Sequence, residues 1–324
     1  MGYTTMKPMK PDEEIAKNVM SASKDVLDKK IDYVAFFEVR NCNPNGNPGE
    51  DNMPRMDFDD YGVISPECIK RKKRNRMQDI MKTVEDENQR AAYKIFCQAD
   101  DRIDDGYKSL QERAVNTISG IDEDQKKKNA CAQYADIRAF GTVIAYRAKG
   151  EAKGVSLGIK GPVTICEAKS VNQPEVFTMD ITKSTNGSEK EDDQKASDRM
   201  GHRHEVVYGL YKVCGSINAY NAENTQFTVA DATLLQEALL TLFRNDESAA
   251  RPAGSMRVVK LYWFEHSTKG GQYTPYQIFS NVNAEKKDEV EFGAERSVND
   301  YLFPTKESIN EKLPGLSVEI YDGE

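Results

Sequence analysis

Alternating apolar strands, two capped helices and glycine-rich turns between them predict an α+β fold for this chain of 324 residues. Three observations carry the prediction. Ile31, Tyr33, Ala35, Phe37 and Val39 alternate onto one face, and Val34 and Phe36 make the other face apolar too, so Ile31 to Val39 reads as a central strand. Ser65, Pro66 and Glu67 supply an N-cap, a proline at the first helical position and an acid in the first turn, so a helix begins there. Thr228 with Asp231 has the form of a capping box, and Leu234, Leu235, Ala238, Leu239, Leu242 and Phe243 follow at helical spacing.

The elements follow in order. Residues 1–29 are polar and predict a short helix or arm with little to pack. After the first strand comes Asn41 to Gly49, a loop of Asn, Pro and Gly whose backbone tolerates left-handed or fixed angles and leaves amides for a ligand. In the next helix Lys70, Arg74, Met77, Met81 and Val84 fall on one line, so the cations extend the apolar stripe. That spacing predicts later turns packed on a sheet and first turns projecting past its edge. Residues 85–135 are polar, charged and helix-permissive, and read as a helical insertion. Strand character returns at Ile137 to Tyr146 and Val155 to Cys166, with glycines that fit a relaxed hairpin and match no phosphate-loop spacing. Asn172 to Glu205 reads as a long protruding hairpin with an Asn-Gly tip. Val206 to Tyr220 and Arg257 to His266 complete the strands, and 281–324 is an acidic, weakly patterned tail. Without the two insertions this is the ferredoxin-like βαββαβ plan, which includes the RNA recognition motif.

Composition bounds the function. The formal net charge of -8 argues against general affinity for polyanions, yet six of the seven residues from Lys70 to Arg76 are Lys or Arg. Such a concentration is the footprint a local phosphate site requires, and a solvated helix face is the competing reading. No apolar run reaches membrane-spanning length, and the first residues lack a secretory segment, so a cytoplasmic address is expected. Six cysteines without a C-x-x-C pair predict free thiols. Motifs for zinc proteases, serine hydrolases and kinases are missing. Asp57 to Gly62 begins like a calcium loop, but Cys68 stands where the bidentate Glu belongs, so no metal or other cofactor is expected. His202 and His204 flank Arg203, with Arg199 nearby, and suit phosphate or base contacts better than a metal.

A set of short motifs then carries a resemblance. Asn43 to Pro48 (Asn-Pro-Asn-Gly-Asn-Pro), Met53 to Asp57, Cys68 to Arg76, Asp136 to Gly141, Gly158 to Val163, Ile181 to Ser184, Met200 to His204 and Ser248 to Pro252 occur in an order that resembles the Cas-seven family, and within it the Csd-type, type I-C backbone subunit of the CRISPR surveillance complex Cascade. The resemblance spans about 31–280. It departs from the family in a longer N-terminal arm, in Asn47 where an acid is usual, and in the tail.

The resemblance implies an RNA-recognition-motif palm over 30–280, interrupted by helical fingers (85–135) and a β-hairpin thumb (172–205), with an arm (1–29) before it and the tail (281–324) after it. It implies a non-catalytic subunit that polymerises along the crRNA and holds it for pairing with target DNA. The implied partners are crRNA, target DNA, further copies of the chain, and the guide-processing, large and small subunits. Candidate RNA-binding residues are Asn43, Pro44, Asn45, Gly46, Arg55, Lys70, Arg71, Arg74, Arg138, Lys160, Thr182, Lys183, Arg199, His202, Arg203 and His204. Two alternatives stand beside it. One is a type III-like subunit that cuts target RNA with a metal and an acid such as Asp51 or Asp57; the other is a monomeric module stacking bases on palm aromatics.

Overall fold

The central strand β1 (Ile31–Cys42) is buried from Ile31 to Val39, so both of its faces need a covering layer. The computed structural model describes residues 9–146, 155–182, 200–291 and 293–324. Ahead of β1 lies α1 (Asp12–Ser21). After it the loop folds into a small ladder of β2 (Gly46–Asn47) and β3 (Met53–Pro54), then β4 (Val63–Ile64) and α2 (Pro66–Lys82). Four helices follow: α3 (Glu87–Ala91), α4 (Leu110–Thr117), α5 (Glu123–Gln133) and α6 (Ala135–Phe140). The middle of the chain is β5 (Gly141–Tyr146), β6 (Val155–Lys160), β7 (Val163–Ile165), β8 (Ala168–Ser170), β9 (Val176–Thr182) and β10 (Met200–Ile217). Then come α7 (Ala219–Thr225), α8 (Val229–Leu240) and β11 (Met256–Glu265). The chain closes with α9 (Pro275–Asn281), β12 (Glu285–Lys286), β13 (Tyr301–Leu302), α10 (Lys306–Lys312) and β14 (Ser317–Asp322).

The principal sheet is antiparallel, in the order β14, β11, β1, β10, β8, β4, with β7 and β9 paired to other stretches of β10. Phe37 faces Tyr211 on one side and Val258 on the other, and a bulge between Phe36 and Phe37 shifts the register toward β11. One face of β1, with Tyr33, Ala35, Phe37 and Val39, packs against α1, α2 and α8. Tyr33 stacks on Trp263 at 5.7 Å and 13°, a pair worth about 0.5–1.5 kcal/mol beyond its burial. The opposite face, with Val34 and Phe36, packs against Ile278, Leu313, Leu316 and Val318 from the C-terminal segment. A third cluster joins Phe96, Ile118, Cys131 and Tyr134 of the helical stretch to Ile144 and Leu157 of the β5–β6 hairpin.

Both helix starts form as their residues dictate. The Ser65 hydroxyl accepts from the Cys68 amide at 3.2 Å, and the Thr228–Asp231 capping box closes in both directions. Other expectations need correction. The segment before β1 is no loosely packed arm, because Ile15, Ala16 and Val19 are buried in the main core. Ile137 to Phe140 is helical, not extended: Asp136 accepts the amides of Phe96 and Cys97 and ties this turn to the helical stretch. The β5–β6 hairpin stands apart as its own two-stranded sheet, so β7 and β8 provide the strands beside β10. Tyr220 belongs to α7, whose N-cap Asn218 ends the preceding strand. The acidic tail is structured. Its β14 extends the sheet beyond β11, and Tyr301, Ile309 and Val318 are buried.

Candidate nucleic-acid interface

At the end of β1 the backbone turns through Asn41, which has φ 46°. The Asn43 amide donates to the Ala250 carbonyl at 2.9 Å, bringing the 248–252 loop against the Asn/Pro/Gly loop. Loop side chains hold the loop itself. Asn43 Nδ2 donates to the Asn52 carbonyl at 2.6 Å, and Asn45 Oδ1 accepts from the Ser65 amide at 2.9 Å. Pro44 is buried, its carbonyl 3.8 Å from the Cys68 sulfur, and a Cβ on Gly46 would come within 2.6 Å of Asn52 Oδ1. Asn43 and Asn45 are therefore first the scaffold of this corner. Two buried polar atoms here lack a hydrogen-bond partner among the described residues, Asn43 Oδ1 and Arg55 Nε.

The basic run is mostly a set of interior cations. Lys73 is buried with its ammonium over the Tyr33 ring at 4.6 Å, and burial pulls it down to about 7. Lys72 pairs with Asp246 and lies over Phe243, Arg76 forks onto Asp12, and Arg74 Nε donates to Asp136 Oδ2 at 2.8 Å. Arg71 donates to the Cys97 carbonyl at 2.5 Å, and its burial together with Arg74 lowers its pKa. The solvated-face reading of the run does not hold. Nor is it an open phosphate footprint, because five of the six cations are held by protein groups.

Lys70 differs. It makes no ion pair or hydrogen bond among the described residues and borders an open groove of about 640 Å³ with Lys160, Phe140, Thr142, Gly158 and Thr164. Gly158 leaves the backbone open there, since a Cβ would meet nothing within 4 Å. Gly141 has φ 71°, and its close approach to the Ile159 carbonyl, 2.2 Å from a notional Cβ, shapes the floor. Two lysines flanking exposed backbone and a phenyl ring suit a polymer read through phosphate and sugar, not through base edges.

The β9–β10 ladder carries the remaining candidates. Arg203 pairs with Glu205. His202 Nδ1 sits 2.9 Å from Asp180, exposed. His204 is buried, with Nδ1 2.8 Å from Thr178 Oγ1 and Nε2, which has no hydrogen-bond partner among the described residues, 3.6 Å from Asp51 Oδ2. Thr182 ends β9 opposite Met200, and its side chain lies outside the described residues, as do Lys183 and Arg199.

Arg138 does not belong to this surface. It donates to Asp231 through Nε at 2.8 Å and Nη2 at 2.7 Å and to the Cys131 carbonyl, all buried, and to the Ala92 carbonyl in a partly buried bond. Its charge serves the core and is not available to a phosphate. Conversely, Arg40 and Arg257 were not among the candidates, although they stand half-exposed at the same sheet end on a shared partner, Glu38. The signal was available: in β1, Glu38 and Arg40 continue the alternation that begins with Val34 and Phe36. Asp57 is held by Lys169, whose hydrogen bond lowers its pKa, and its Oδ1 caps the turn amides of Asp59 and Tyr61.

These features define a mixed α/β protein with a main antiparallel sheet, with a hairpin stem at the Met200 end of β10 and a glycine-lined groove bordered by Lys70 and Lys160 beside β7 at its Ile217 end. The chain belongs to the CRISPR-associated protein Cas7 family, whose pattern it matches over residues 29–306. It is 22% identical to the CRISPR-associated protein Cas7 of Haloferax volcanii over 244 residues, covering 69% of this chain and 67% of that one. Two solved structures are also similar. One, titled CRISPR RNA-guided surveillance complex, pre-nicking, has a TM-score of 0.40 at 14% identity, covering 72% of this chain and 78% of the other. The second, titled CRISPR RNA-guided surveillance complex, has a TM-score of 0.40 at 12% identity, covering 90% and 87%.

Proposed function

We propose that this chain is the non-catalytic, crRNA-binding backbone subunit of a type I-C Cascade, polymerising along the guide and presenting it to target DNA. The observation that carries the reading is family membership across 29–306, joined to a groove in which Lys70 and Lys160 pair with no anion among the described residues. On this reading the sheet with α2 and α8 is the RRM-like palm. The strand order β11, β1, β10, β8 supports it, being the order a split βαβ plan requires. Residues 85–135 are then the fingers and 172–205 the thumb, with Thr182, Lys183, Arg199, His202 and Arg203 near the guide. Arg55 and His204 complete the loop side of the site, each with a buried nitrogen that has no hydrogen-bond partner among the described residues. Negative net charge is compatible with RNA coating, because many protomers act on one strand and their local contacts accumulate. Stacking on palm aromatics is disfavoured, since Tyr33, Phe36 and Phe37 are buried under two layers.

The test is reconstitution of the full chain with guide RNA, measuring particle mass, nuclease protection and the integrity of guide and complementary RNA with magnesium or manganese. Multi-copy particles with regularly spaced protection and uncut strands are expected. Binding of a single copy would sink the backbone reading. Cleavage lost on Asp51→Ala, whose carboxylate faces His204, would favour the type III-like alternative.

A further inference from the structure

We propose that Cys166 and Cys214 form a cross-strand dithiol that closes to an intrachain disulfide on exposure to a low-molecular-weight disulfide such as oxidised glutathione. The antiparallel register between β7 and β10 pairs Val163 with Ile217, Thr164 with Ser216 and Ile165 with Gly215. One step further, Cys166 stands opposite Cys214, and its amide donates to the Cys214 carbonyl at 2.8 Å. Directly opposed residues of an antiparallel pair share one face. Opposed residues of an antiparallel ladder hold their Cα atoms about 4.5–5.5 Å apart, within the span of about 4.4–6.8 Å that a disulfide bridges. Both cysteines are free thiols in this structure.

Their environments divide the roles. Cys166 is exposed, while Cys214 is half-buried against the core on the Val34 face. Burial raises both thiols, Cys214 to about 12 with Lys212 opposing the shift, so the exposed sulfur is the one to react first. The Cys166 thiolate attacks one sulfur of the oxidised glutathione, breaking its S–S bond and releasing one glutathione thiol. The Cys214 sulfur then attacks Cys166 in the mixed disulfide, loses its proton, and expels the second glutathione thiol. Two electrons and two protons pass from the cysteines to the oxidant. The bridge would pin β7 to β10. Val163, Thr164 and Ile165 line the groove beside Lys70 and Lys160, so the bridge stiffens one wall of that groove. The chemistry does not depend on what the groove binds.

The full chain is incubated with oxidised glutathione, alkylated, and analysed by intact mass and peptide mapping. One Cys166–Cys214 disulfide is expected, with the loss of two hydrogens, reversed by dithiothreitol and absent from Cys166→Ser. Cys214→Ser is expected to retain glutathione on Cys166 as a trapped mixed disulfide. Because Cys166 is exposed, its serine variant keeps the fold, checked by circular dichroism. A lasting glutathione adduct on Cys166 of the unaltered chain, a disulfide between other cysteines, or two unreacted thiols where a reference dithiol is oxidised would each overturn the proposal.

Discussion

Arg138 is the residue whose meaning changes most between sequence and structure. Beside the Asp136-Ile-Arg motif it invites a phosphate, yet it spends its guanidinium on Asp231 and two carbonyls. Asp231 was legible as the N3 member of a capping box, and it still fills that role, since its Oδ2 accepts from the Thr228 amide at 2.8 Å. What local spacing could not reveal is that the same carboxylate also serves a cation 93 positions away. Arg138→Ala leaves this carboxylate buried without its charge partner, so it should destabilise the fold by about 3–5 kcal/mol in chemical denaturation. Lys73 gives a second prediction. Burial holds it near 7, whereas an unfolded lysine keeps its proton to about pH 10.4. Between those values the unfolded chain binds more protons, so this group makes stability rise with pH, by at most about 1.4 kcal/mol per pH unit. Below about 7 the cost of the buried charge is complete. Lys73→Met should therefore stabilise the protein most at or below neutral pH, with an advantage that narrows toward pH ~10. Denaturation midpoints at several pH values check this, and a parallel pH dependence in the two proteins would contradict it.

At the scale of an element, α2 shows how a correct helix can carry a misleading charge pattern. Its N-cap, its Pro at N1 and its buried Met77 and Met81 follow from the sequence directly. The cations of its first half look like a surface because their partners are remote: Asp12 in α1, Asp136 in α6, Asp246 before β11, and Tyr33 in β1. Only tertiary packing brings those groups to it. Arg71 and Arg74 therefore change from free phosphate ligands to cations already held by protein. On the proposed function Lys70 and Lys160, which border the groove, are the phosphate ligands. Replacing both with Ala should weaken single-stranded RNA binding across sequences and reduce the salt slope by about 0.7 per lost phosphate contact, with melting temperature nearly unchanged. Arg74→Ala should instead lower the melting temperature, because Asp136 loses its ion pair. An equal salt slope in the folded Lys70/Lys160 double variant would remove the groove from the RNA surface.

Across the whole molecule, the alternation in β1 announced a strand with two apolar faces, but what covers the second face was hidden. The covering segment carries many acids and exposes much of its surface, and its apolar residues are scattered through short elements. Ile278, Val282, Ile309, Leu313, Leu316 and Val318 become one layer only when α9, α10 and β14 come together. With both faces closed, the guide RNA of the proposed function meets, among the described residues, the sheet edge, the groove and the hairpin stem. That stem reaches past the central strand: β9 pairs with Met200 to Val206 of β10, whereas β1 takes over from Val206 to Ile217. Phe177 and Ile181 on β9 are half-exposed, so the ladder gives little apolar burial to the monomer. Replacing residues 183–199 with a short Gly/Ser turn should thus leave the melting temperature within a degree or two, since the three core clusters of the described residues stay in place. Assembly is where the cost should appear. If the hairpin is the thumb, the shortened chain should still bind short RNA through the groove, yet fail to form multi-copy particles or give regularly spaced protection on a full-length guide. Melting temperature and particle mass are to be measured on the same preparation. A shortened chain that assembles to the same mass with the same footprint would show that the hairpin is not the element that joins successive copies along the RNA.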